Sequence, residues 1–134
     1  MAKKEARKEA QMELLFRALA DRTRLRLLNL LATGEVCVCF FVEVLGESQP
    51  KISRHLAYLR RAGVVAARRE GKWMHYRVAT PEDAHAARVF AEVMAWLGEE
   101  HGMQRDRARM ETISCATTLP VRLQGAPRPA SLSS

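Results

Sequence analysis

The sequence predicts a mainly α-helical chain with a small β-hairpin, a winged helix-turn-helix of about five helices and a two-stranded wing. Three observations carry that expectation. Ser48 to Gly63 reads as a short basic helix with a clear start and stop. A shorter apolar stretch, Val36 to Leu45, precedes it across the tight turn Gly46-Glu47. Two strand-like runs with a basic tip follow it directly. Two helices joined by such a turn, the second basic and followed by a hairpin, form a DNA-reading unit.

Residues 1–10 are charged and expected to fray as a basic tail, with the folded domain spanning 11–102. A helical period sets in from Lys8, with Met12, Leu15, Phe16 and Leu19 on one face. Asp21 suits the cap of a second helix whose stripe is Leu25, Leu28 and Ala32, ended at Gly34. In the basic helix Ser48 is a good N-cap and Pro50 falls in the first turn, where a missing N–H costs little. Ile52, Leu56 and Leu59 form its buried stripe. The other face carries Ser53, Arg54, Tyr58 and Arg61, with no carboxylate between Gln49 and Gly63.

After Gly63 the apolar period changes. Val64–Arg69 and Trp73–Val78 read as strands around Glu70-Gly71-Lys72, with Arg68, Arg69, Lys72 and Arg77 making the hairpin basic. Thr80-Pro81-Glu82 is expected to open the last long helix, with Pro81 in its first turn. Ala86, Val89, Phe90, Val93, Trp96 and Leu97 run along one side of that helix. The other elements already supply a core, so this stripe and Leu15 of the first helix are expected to join two copies as a homodimer. Residues 103–134, which include Cys115, lose the period and read as a flexible tail. Leu119 to Ser134, rich in Pro, Ala, Gly and Ser, is expected to be disordered.

The composition narrows the function. A net charge of +7 favours a polyanionic partner, and a 48% hydrophobic fraction provides core for one domain. No run reaches transmembrane length and the lysine-rich start lacks a signal-peptide core, so no membrane partner and a cytoplasmic location are expected. Three cysteines, two of them flanking Val38, suggest thiolate chemistry rather than a disulfide scaffold. With no Cys-x-x-Cys, glycine-rich cofactor loop or catalytic dyad at a supporting spacing, neither an enzyme nor an organic cofactor is expected.

Four stretches now align with one known family. Ala20-Asp-Arg-Thr-Arg-Leu-Arg-Leu-Leu28, Gly34-Glu-Val-Cys-Val-Cys39, Ser48 to Arg60 and Gly71-Lys-Trp-Met-His-Tyr-Arg77 stand in the order of its second helix, metalloid-binding stretch, recognition helix and wing. The chain thus resembles the ArsR/SmtB repressors, specifically the arsenic-responsive branch, over roughly Leu14 to Leu97. The resemblance implies a dimer built from the first and last helices that reads palindromic double-stranded operator DNA. It implies release when trivalent arsenic, or antimony as antimonite, binds cysteine thiolates. The DNA contacts expected on this basis are Ser48, Gln49, Lys51, Ser53, Arg54, Tyr58 and Arg61 of the helix, with Arg69, Lys72 and Arg77 of the wing.

Cys37 and Cys39 are the expected metalloid ligands, because thiolates suit soft ions. Positions i and i+2 of an α-helix point about 200° apart, so one ion cannot gather both sulfurs from an intact helix. Binding must open the start of the third helix or use a segment that is already irregular. Phe40 stands where the family usually has Asp, and Val42 where a third Cys is common. The third sulfur is then Cys115, a small thiol such as glutathione, or absent. Asp83, His85 and Glu99 fit offsets of the family's zinc site, but Trp96 occupies its second histidine position, so poor zinc binding is expected. The nearest rival reading keeps the fold and makes the cysteines a redox switch. A Cys37–Cys39 disulfide would close a very small ring, whereas a bridge to Cys115 would not.

Overall fold

The computed structural model describes residues 2–115 and 123–129. The order is α1 (Ala2–Leu19), α2 (Arg22–Leu31), β1 (Val36–Cys37), α3 (Val38–Leu45), α4 (Gln49–Arg61), β2 (Val65–Glu70), β3 (Trp73–Val78), α5 (Ala84–Glu99) and α6 (His101–Ser114). All three strands pair antiparallel in the order β1-β3-β2. The winged helix-turn-helix is therefore present, with a sixth helix and a third strand beyond the sequence expectation.

Local chemistry fixes the ends. The Asp21 carboxylate accepts the Arg24 N–H at 3.0 Å and starts α2. Gly46 closes α3 at φ 68°, a left-handed conformation that a side chain resists, and its N–H returns to the Val42 carbonyl. Asp83 accepts the N–H groups of His85 and Ala86 at 2.9 and 3.0 Å, so α5 starts after Asp83 rather than at Pro81. The carboxylate supplies what a proline cannot, an acceptor for two unpaired N–H groups.

The core lies around α2, whose Leu27, Leu28, Leu30 and Leu31 are buried together with Phe40 and Phe41 of α3 and Ile52, Leu56 and Leu59 of α4. α4 packs against both α2 and α3, and the sheet closes the end with Val36, Val65 and Tyr76. α4 thus buries the stripe expected of it and leaves Arg54, Ala57 and Arg61 in solvent.

Both proposed tails need correction. Residues Ala2–Gln11 continue α1 as helix, although their side chains are exposed throughout. Residues 103–114, assigned to the flexible tail, lie in α6, because Met103, Asp106 and Met110 turn one face onto the core. The Arg26 guanidinium grips Asp106 through Nε and Nη2 at 2.7 and 2.9 Å. The fully buried Asn29 amide donates to the Met103 carbonyl at 2.9 Å and accepts from Arg107 at 2.7 Å. Residues 123–129 are also placed against the fold, with Leu123 and Ala126 buried and Arg128 donating to the Ser114 carbonyl. The remainder of the stretch expected to be disordered lies outside the described residues. Among the described residues no helix is long and apolar enough to cross a membrane.

The proposed pairing stripe divides in two. Leu15 and Leu97 are buried within the protomer at 4% and 6% exposure, so their side chains already pack against the chain's own core. Helical geometry turns each one position away from its exposed neighbour. Those neighbours, Phe16 and Trp96, are 53% and 73% exposed, with Met12 and Val89 beside them. Phe16, Leu19, Val93 and Trp96 help to line an open apolar hollow of about 310 Å³ between α1 and α5.

Candidate nucleic-acid interface and thiol site

α4 begins at Ser48, whose hydroxyl accepts the Lys51 N–H at 3.4 Å. That hydroxyl is used as a cap, while Gln49 and Arg54 project freely from the exposed face. Lys51 is held by Glu47 at 3.0 Å, and Ser53 is half-buried. Tyr58 lies between two guanidinium groups, with Arg24 4.4 Å and Arg61 4.9 Å from the ring centroid. Such a stack fixes the ring and keeps the Arg61 charge at the surface. His55, on the same helix, meets Arg24 Nη1 through Nδ1 at 3.2 Å.

The wing presents its cations on two sides. Ala66 faces Arg77 and Arg69 faces Met74 across the ladder, so the pleat sends Arg77 and Arg69 to opposite faces of the sheet. Both are exposed, as is Lys72, whose Nζ sits 5.0 Å over the Trp73 ring at the turn. Arg68, which the sequence would add to this basic tip, is instead bound to Glu35, with Nε 2.9 Å and Nη2 2.7 Å from the carboxylate. That bond is the first cause holding the Glu35 carboxyl below its ordinary range, against burial.

The thiol pair sits at the junction of sheet and helix-turn-helix. Cys37 ends β1 opposite His75 and is also the N-cap of α3, with extended backbone at φ −72° and ψ 140°. Cys39 follows inside the first turn. The irregular segment needed to bring i and i+2 together is therefore built into the fold. The two sulfurs are 3.2 Å apart, with Cys37 buried and Cys39 half-buried. Donation by the Cys39 thiol is the largest cause drawing the Cys37 thiol down, to about 6, against its burial. The Cys39 and Val38 N–H groups and the charge of His75 add to this. Cys39 is pushed well up, chiefly by the same bond. The pair thus releases one proton readily and the second with difficulty.

Cys37 should be a thiolate above about pH 6 and protonated below it. A thiolate absorbance titration should show one equivalent per protomer forming well below the ordinary thiol value of about 8.5. Cys37→Ser should remove that step. Absence of any thiolate below pH 8 in the wild type would contradict the assignment.

Cys115 is exposed at the C-terminal end of α6. Among the described residues of the single chain, no three Cys, His, Asp or Glu side chains form a group suited to a metal, Cys115 with the pair included. His75 is a buried sheet residue with Nε2 3.3 Å from Glu70. Arg24 carries no sequence signal of function beyond its position in an arginine-rich second helix.

Comparison with known proteins agrees with this geometry. Residues 21–67 match the family described as "Bacterial regulatory protein, arsR family". The chain is 48% identical over 91 residues to the arsenical resistance operon repressor of Escherichia coli strain K12, covering 67% of this chain and 76% of that protein. It is 53% identical over 66 residues to an arsenic resistance transcriptional regulator of Pseudomonas putida, spanning 48% of this chain but only 52% of that relative's length. Among solved structures it resembles the homodimeric winged helix-turn-helix DNA-binding domain of a possible ArsR-family transcriptional regulator from Mycobacterium bovis. That likeness has a TM-score of 0.58 and 36% identity, covering 71% of this chain and 85% of the other. With the fold, the basic helix and these relatives in agreement, the chain belongs to the arsR family of bacterial regulatory proteins.

Proposed function

We propose that this chain is a metalloid-responsive repressor that binds operator DNA as a homodimer and leaves it when trivalent arsenic binds Cys37 and Cys39. The observation that carries the reading is the preformed sulfur pair, 3.2 Å apart, at the start of the helix that leads into α4. Soft thiolates suit a thiophilic ion, and the Cys39 thiol beside Cys37 draws the Cys37 thiol down and so favours its ionised form. Antimonite offers the same chemistry. With Cys115 outside the cluster, a small thiol such as glutathione is the third donor that fits. Cys115→Ser should then need little more arsenite for release, and a large increase would return the role to Cys115.

Release follows from position. Cys37 belongs to both β1, paired with β3 of the wing, and the cap of α3, which precedes α4. An ion that alters the pair therefore strains wing and recognition helix together. It favours the conformation in which those two no longer match DNA, as a ligand with different affinities for two states must. A thiolate beside a thiol also suits attack by oxidants, which keeps a redox-sensing repressor as the second reading. Release by peroxide but not by arsenite in reducing buffer would favour it.

DNA reading is proposed for Gln49, Ser53, Arg54 and Arg61 of α4, with Arg69, Lys72 and Arg77 along phosphates. Ser48, Lys51 and Tyr58 contribute through the cap and the stack. The test uses a duplex selected by the wild-type protein from random sequence. Arg54→Ala should cost about 1–3 kcal/mol and relax preference at one base position. Lys72→Ala should weaken binding to all sequences alike and reduce the salt slope by about one. Unchanged affinity in both variants would sink the assignment of helix and wing.

A further inference from the structure

Arg24 joins two parts of the molecule that the proposed function keeps separate. Its side chain is only 13% exposed. Its Nε and Nη2 donate, each at 2.8 Å, to the carbonyls of Ala18 and Arg17 at the end of α1. These belong to the last turn of a helix, whose carbonyls have no partner within it. The remaining nitrogen, Nη1, donates to His55 Nδ1 at 3.2 Å, while the guanidinium plane covers the Tyr58 ring at 4.4 Å. His55 and Tyr58 both belong to α4. One planar group therefore holds the end of α1 by its edge and the middle of α4 by its third nitrogen and its face. A second link runs parallel to it, from the Gln11 amide of α1 to the Arg61 carbonyl of α4 at 3.2 Å.

The chemistry needs arginine. A guanidinium offers donors in fixed directions within one plane and a flat face for stacking, whereas an ammonium is a single point of charge. Acceptance at Nδ1 also requires a neutral His55 with its proton on Nε2. Burial disfavours the charged ring there; Asp21 opposes this, and the charges of Arg24, Lys51 and Arg54 reinforce it. Asp21, which caps α2 and whose carboxylate lies 3.9 Å from both Arg24 Nη1 and His55 Nδ1, balances the cluster without displacing the bond.

We propose that Arg24 is a positioning residue for operator recognition: it locks α4 to the end of α1, so that the dimer helix sets the separation of the two recognition helices. The inference rests on the reading of the chain as a dimeric operator-binding protein. A two-fold protein must match half-sites about one helical turn of DNA apart, and a loosened α4 tolerates a wrong spacing that a fixed one rejects.

The experiment measures binding of the full-length protein to the duplex that the wild type selects, and to the same duplex with one base pair inserted between half-sites. Arg24→Lys should bind the selected duplex about tenfold more weakly or worse. It should also discriminate less against the inserted one, with dimerisation and the salt slope unchanged. Tyr58→Leu, which leaves both α1 carbonyl bonds in place, should lose a similar amount, and the double variant should be little worse than Arg24→Lys alone. Full spacing discrimination in Arg24→Lys, losses that simply multiply in the double variant, or a salt slope reduced by about one would overturn the proposal. Should Arg24→Lys fail to fold, wild-type affinity and spacing preference in Tyr58→Leu would overturn it equally. A wild-type protein that selects no duplex overturns the DNA-binding reading, and this inference with it.

Discussion

Replacing Trp96 by Glu should turn a dimer into a folded monomer and weaken operator binding by about two to four orders of magnitude. Trp96 is 73% exposed in the protomer, so a carboxylate there meets water and costs the isolated chain little. In a dimer that closes over Phe16, Val89 and Trp96, the same carboxylate is buried without a partner, which is expensive. Loss of the second half-site then removes the effective-concentration gain of two linked modules, about 10²–10⁴ in affinity. Leu97→Glu provides the contrast. Leu97 is 6% exposed inside the protomer, so its replacement should unfold the chain rather than split a dimer. Sedimentation and thermal unfolding of the two variants separate the outcomes. A Trp96→Glu protein that remains dimeric would move the interface elsewhere.

Cys37→Ser and Cys39→Ser should each keep the fold and operator binding while losing release by arsenite. Serine is close to cysteine in size but a poor ligand for a soft ion. At position 37 the exchange has a local compensation. Cys37 is the N-cap of α3 yet makes no capping bond, and a serine hydroxyl there can accept a first-turn N–H. That cap is worth about 1 kcal/mol, enough to offset much of the cost of burying a hydroxyl. Unfolding midpoints near the wild type are therefore expected. In the wild type, arsenite should speed amide exchange at Val36 to Leu45, most of all in β1 and the first turn of α3. Arsenite response retained in both serine variants would end the metalloid reading and leave the fold and the DNA interface standing.

The helix-turn-helix and wing were legible because each carries local signals. Ser48, Pro50 and Gly63 frame α4, and Gly71 makes the hairpin turn. The i, i+2 spacing of the cysteines leaves two routes open, an opened helix start or a segment already irregular, and the extended backbone at Cys37 is the second. Elsewhere long-range partners decided the outcome. β1 is two residues long and exists by pairing with β3, so no run of alternation could reveal it. α6 presents Met103 and Met110 among many charged residues, too thin a stripe to read as core. Its stability depends on Arg26 and Asn29, more than seventy positions earlier in the chain. The burial within the pairing stripe is not legible, because Leu15 and Leu97 look as exposed in the sequence as Phe16 and Trp96. Only the packing of α1 and α5 decides which of each pair faces inward. The role of Arg24 is not legible because a cation in a second helix is usually a solvated one, and its partners are carbonyls and rings that the sequence does not advertise.

The most direct test of the central claim is a stoichiometric arsenite titration of the operator-bound wild-type dimer in glutathione-containing buffer, with DNA anisotropy and bound arsenic measured on the same samples. Occupancy of Cys37 and Cys39 predicts that anisotropy falls in step with arsenic uptake and that both stop at one arsenic per protomer. Arsenic bound at that ratio with the DNA still held, or release with no arsenic on the protein, would contradict it.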